Sequence, residues 1–121
     1  MVKVGLLVRV VAKPGKEQTV ASFLAGALEL AQREADTVVW FALRINEREF
    51  AIFDAFPDDS GRTAHLQGPI AAALMANAAE LLSEPPRIEK VDVLAAISGC
   101  TRQEPEVRAA GLHRALAEDW L

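Results

Sequence analysis

The sequence predicts an α+β domain of the ferredoxin-like type, a four-stranded antiparallel sheet with two helices on one face. Three observations predict it. Stretches of period two and stretches of period 3.6 follow one another in the order β-α-β-β-α-β. The link between the second and third strands, Asn46-Glu47-Arg48, is short enough for an antiparallel hairpin. Right-handed crossovers then bring both helices to the same side of the sheet.

The first strand spans residues 2–12, with Val2, Val4, Leu6, Val8 and Val10 on one face. Lys13-Pro14-Gly15-Lys16 is a turn, because Pro fixes φ and Gly admits a positive one. A helix is expected over 17–34, where Val20, Phe23, Leu24, Ala27, Leu28 and Ala31 form one apolar stripe. The second strand covers 37–45. It places Val38, Trp40 and Ala42 on one face and Val39, Phe41, Leu43 and Ile45 on the other. The third strand begins at Glu49 and ends at Pro57, which cannot donate to a ladder.

Asp58, Asp59 and Ser60 are N-cap residues for the helix that carries Arg62, His65 and Leu66. Gly68-Pro69 interrupts that helix, and Pro69 suits the first position of a new one over 70–83. A last strand is expected over 87–97. Residues 1–97 therefore form one domain, and 98–121 a C-terminal helical extension with Leu112, Leu116 and Trp120 at spacing four. The second strand is apolar on both faces, and two helices cover only one. A symmetric homodimer with two sheets packed face to face is the expected cover.

At 121 residues with 51% hydrophobic composition, the chain can bury the core of a single domain. A net charge of −4 leaves no basic footprint for nucleic acid, and the scattered Lys and Arg argue against a membrane surface. The apolar run Val4 to Val8 is far too short to span a bilayer. The single cysteine, Cys100, cannot form an internal disulfide, so a reducing cytoplasmic location is expected. No His, Cys or carboxylate spacing matches a metal site, and neither a phosphate-cradling loop nor a serine elbow is present.

The groups that could carry chemistry gather around the strand–cap–helix junction, Phe53 to Leu66. His65, with an ordinary pKa of ~6.5, is the candidate acid/base, or else a helix histidine bonded to a strand carbonyl. Trp40 offers an indole N–H and a flat face to an aromatic ligand, or simply fills core. Arg44, on the Trp40 face by alternation, could stabilise an enolate or pair with Asp54 or Asp92. Asp54 could act as a base if burial raised its pKa. Phe41, Phe53, Phe56, Leu74 and Met75 are core candidates that could also line a pocket.

Several of these stretches together resemble one family. The Lys13-Pro14-Gly15-Lys16 turn, Trp40 and Arg44 on the second strand, Phe53-Asp54-Ala55-Phe56, Ala64-His65-Leu66 and Ile88 to Ala95 look like the antibiotic-biosynthesis-monooxygenase (quinol monooxygenase-like) family. That family belongs to the dimeric α+β-barrel superfamily, and the resemblance covers roughly residues 3–97. It implies a cofactor-independent oxygenase that deprotonates an aromatic or quinol-like substrate in an apolar pocket, so that the carbanion meets O₂ directly. The chain has no tyrosine, which excludes a tyrosine-dependent version of that chemistry. Haem-degrading relatives pair the helix His with a Trp ending the third strand and an Asn on the first; this chain has neither. The alternative is a non-catalytic dimer of the same fold, a ligand-binding or structural module.

Overall fold

The structure, a computed structural model, describes residues 1–97. The helix expected within 98–121 lies outside the described residues. The elements are β1 (Val4–Val11), α1 (Glu17–Gly26), α2 (Leu28–Gln32), β2 (Val39–Arg44), β3 (Glu49–Phe56), α3 (Asp59–Leu66), α4 (Pro69–Leu81) and β4 (Arg87–Asp92). The strands form an antiparallel sheet in the order β2-β3-β1-β4, the expected ferredoxin-like arrangement.

Local chemistry explains most boundaries. Gly15 has φ 87°, and the Lys16 N–H donates to the Lys13 carbonyl at 2.9 Å, so the Pro-Gly turn before α1 closes as a type II turn. The expected helix over 17–34 is divided at Gly26-Ala27, where the Ala27 N–H bonds the Leu24 carbonyl at 3.1 Å. A glycine inside a helix weakens it, and the tightened turn falls next to that glycine. In the hairpin loop the Asn46 Oδ1 accepts from the Arg48 and Glu49 N–H groups. Asp58 is the N-cap of α3, its Oδ1 accepting from the Gly61 N–H at 3.1 Å, and Pro69 opens α4 as expected.

One strand is shorter than its hydrophobicity suggests. β4 was expected to run to Ile97 but ends at Asp92, which faces Val4, the first residue of β1. The Val93 N–H still reaches the Lys3 carbonyl, after which β1 offers no further partner. Leu94 and Ile97 are consequently exposed.

The two faces of the sheet differ sharply. Leu6, Val8 and Val10 of β1 and Phe50, Ile52, Asp54 and Phe56 of β3 are buried beneath the helices. Val20, Leu24, Leu74 and Leu81 complete that core from above. On the opposite face, Phe41, Phe53 and Leu7 form one cross-strand row, followed by Leu43, Ala51 and Arg9. Phe41 is 55% exposed, Leu43 44% and Ile45 48%. The described residues leave that apolar face bare.

Gly5 sits at a close approach in the middle of this sheet. A Cβ there would lie 2.7 Å from the Asp54 carbonyl oxygen. Backbone cannot swing aside as a flexible side chain can. Gly5→Ala should therefore destabilise the fold by about 2 kcal/mol, the usual cost of overpacking. Urea denaturation is the check, and a change within ~0.5 kcal/mol would show that the strands tolerate the methyl group.

Candidate functional site

The site is built where α3 lies across the end of β3. Asp54 is on the helix-facing side of β3 and is wholly buried; its cross-strand neighbours are Leu6 and Trp40. His65 comes down from α3 and is 7% exposed. Its Nε2 lies 3.0 Å from Asp54 Oδ2, and its Nδ1 lies 2.6 Å from Glu34 Oε1. Glu34 belongs to the connection after α2, and the Thr37 hydroxyl donates to the same oxygen at 2.7 Å. The Phe56 ring packs against the imidazole with centroids 5.4 Å apart.

One imidazole thus lies between two carboxylates. Burial by itself would push the His65 pKa down, since desolvation opposes charge. The hydrogen bonds to Asp54 and Glu34, and the charges of both, outweigh burial and raise it to about 9. At neutral pH the group is therefore an imidazolium. It can give a proton or stabilise developing negative charge, but it is not a free base.

The surroundings hold unfilled polar capacity. Among the described residues, Asp54 Oδ1 has no hydrogen-bond partner and Oδ2 meets only the His65 Nε2, at 3.0 Å. The Trp40 indole N–H, on the neighbouring strand, is buried without an acceptor among the described residues. A donor and an acceptor with spare capacity thus belong to paired residues of adjacent strands, the two kinds of group that a hydroxyl can serve. Behind Trp40 lies apolar ground: it packs on Ala27, Ala31 and Ile70. Ala27 and Ile70 also line a cleft of about 310 Å³ between α1–α2 and α4, with Ser22, Phe23, Gly26, Leu30 and Ala73. That volume is at the small end for a ligand pocket.

The residues singled out from the sequence divide into two groups. His65, Asp54, Trp40 and Phe56 come together. Arg44 does not: its guanidinium donates to the Asn46 and Glu47 carbonyls and stacks 4.9 Å over the Phe50 ring, so it pairs with neither Asp54 nor Asp92. Phe41 and Phe53 face each other on the opposite side of the sheet. Leu74 is core, and Met75 lines a separate groove with Lys13, Pro85 and Pro86. Sequence reasoning passed over Glu34. An acidic residue at the end of a helix opposes the macrodipole, so Glu34 was the residue in need of a cationic partner.

Because the folded pKa of His65 is raised above its unfolded value, the folded state binds this proton more tightly. Its stabilisation is complete below pH ~6.5, declines as pH rises, and is gone above about 9. The size is on the order of 3 kcal/mol. Urea unfolding from pH 6 to 10 should show the decline in the wild type, and His65→Gln should remove that part of the pH dependence. Parallel profiles for the two proteins would refute the assignment.

No protein-family model and no curated protein matches the chain. Solved structures do. A protein of unknown function from Nitrosomonas europaea is 60% identical, with TM-score 0.79, covering 80% of this chain and 94% of its own. A second Nitrosomonas europaea protein, provisionally named an antibiotic biosynthesis monooxygenase, has TM-score 0.68 at 16% identity, covering 76% of this chain and 99% of its own. A Bacteroides thetaiotaomicron protein with the same provisional name has TM-score 0.61 at 19% identity, covering 80% and 92%. At such identities the last two share the fold. The chain belongs to the family of the Nitrosomonas europaea protein of unknown function, and it has the fold of the antibiotic-biosynthesis-monooxygenase-like domains.

Proposed function

We propose that the protein is a cofactor-independent monooxygenase for an uncharged aromatic or quinol-like small molecule, working as a homodimer. The observation that carries this reading is the buried Asp54–His65–Glu34 group, with Asp54 paired across the sheet to Trp40, whose ring packs on residues that also line an apolar cleft. A substrate hydroxyl or keto oxygen would take the Trp40 N–H. The Asp54 carboxylate would accept the acidic proton of the substrate, while the His65 imidazolium holds down the charge of the resulting carbanion. The carbanion would react with O₂; for a methylene substrate, R₂CH₂ and O₂ give R₂C=O and H₂O, with no external electrons required. Water exclusion by the apolar cleft would favour that path.

A second copy of the chain is the proposed cover for the bare sheet face. Leu7, Phe41, Leu43 and Phe53 present a contiguous apolar layer of the kind that sheet-on-sheet packing buries. Phe41→Glu puts a charge in the middle of that layer. The wild type should sediment as a dimer at micromolar concentration and the variant as a monomer. A monomeric wild type would remove the dimer.

The competing reading is a binding or structural module without turnover. Both ring nitrogens of His65 are already engaged, which is what a purely structural ion pair would look like. Oxygen uptake with an anthrone or a reduced quinol separates the two. Activity should persist with chelator and without flavin, and Asp54→Asn should lower kcat by about 10²-fold or more. If wild type and Asp54→Asn consume oxygen at the same rate, or neither does, the oxygenase reading fails.

A further inference from the structure

The helix that carries His65 is poorly equipped to dock by hydrophobic burial. Its sequence is Asp59-Ser60-Gly61-Arg62-Thr63-Ala64-His65-Leu66, and its buried residues are Gly61 and His65. What anchors it instead is polar. Arg62 lies one turn before His65 on the same face. Its Nη1 donates to the Gly5 carbonyl of β1 and to the Val91 carbonyl of β4, both at 3.2 Å. Those two residues are cross-strand partners, so a single guanidinium straddles the β1–β4 seam. The other side of the fork reaches Asp59, with Nη2 at 2.8 Å and Nε at 3.1 Å from the same Oδ1. The Arg62 side chain is 11% exposed.

We infer that Arg62 is a positioning residue, which fixes α3 on the sheet so that the His65 imidazole meets Asp54 and Glu34 together. The two grips lie three residues apart on a rigid element: Arg62 ties α3 to β1 and β4, and His65 ties it to β3 and the α2–β2 connection. Close packing at Gly61, where a Cβ would lie 2.9 Å from Asp36 Cβ, leaves the helix little room to slide. Loosening Arg62 shifts His65 off one carboxylate or both. A neutral amide cannot replace a five-donor fork that serves two carbonyls and a carboxylate at once.

The charged groups at this corner are Asp54 from β3, Glu34 and Asp36 from the α2–β2 connection, Asp58 at the N-cap of α3, and Asp59 and Arg62 on α3 itself. The first turn of α4 carries none. Electrostatics alone and positioning therefore predict opposite signs. Removing a cation near an imidazolium raises the histidine pKa; pulling the imidazole away from its carboxylates lowers it.

The test is an NMR titration of His65 in the full chain, in a His113→Gln background so that one imidazole is read. Arg62→Gln should lower the His65 pKa by about one unit or more, toward the ordinary value of ~6.5. Arg62→Lys keeps the charge but not the fork, and should fold and lower the pKa less. Val20→Ala, a core truncation on the buried face of α1, controls for general destabilisation and should leave the pKa unchanged. A His65 pKa that is unchanged or raised in Arg62→Gln overturns the inference; should that variant not fold, an unchanged pKa in Arg62→Lys does so. The readout needs no activity, so it stands apart from the oxygenase reading.

Discussion

The contact on which the site depends is the ion pair of His65 with two carboxylates in a largely apolar layer. Asp54 is wholly buried on the helix side of β3, among Leu6, Trp40 and Phe56. An ionised carboxylate there is expensive unless a cation accompanies it. His65 supplies the cation, and Glu34 supplies the second anion that keeps the proton on the ring. Two consecutive elements, β3 and α3, and the more distant α2–β2 connection meet at this one imidazole.

That constraint also shapes the rest of the layer. α1 and α4 dock through ordinary apolar stripes that close over Val8, Val10, Phe50 and Ile52, and α2 packs through Ala31 in a smaller cluster with Ala27 and Ile70. α3 buries little hydrocarbon and is held by its N-cap, its histidine and Arg62. The position of this helix therefore rests on a few polar contacts. It is also where a fold of common architecture can hold a site without disturbing its core.

Legibility in the sequence followed the range of the interaction. Period-two and period-3.6 patterns report which face meets the core, and they identified all four strands, the hairpin and the Pro69 restart. They overran β4, since its end is set by where β1 begins and not by its own hydrophobicity. Alternation correctly put Trp40 and Phe41 on opposite faces of the sheet. It could not show that Arg44, on the same side as Trp40, would fold back onto its own hairpin loop. His65 stood out as a titratable group on the helix that follows the strand–cap junction. Its partner Glu34 lies 31 residues away on a connection, and no local spacing encodes that meeting.

Whether the proton resides on His65 at neutral pH is the most direct question to put to the molecule. The ¹⁵N shifts of the wild-type imidazole at pH 7.5 report it, because an imidazolium carries a proton on both nitrogens and a neutral ring on one. Two protonated nitrogens, persisting until the pH nears 9, are the predicted result. A single neutral tautomer at pH 7.5 would contradict the account, for Asp54 would then be buried without its counter-ion.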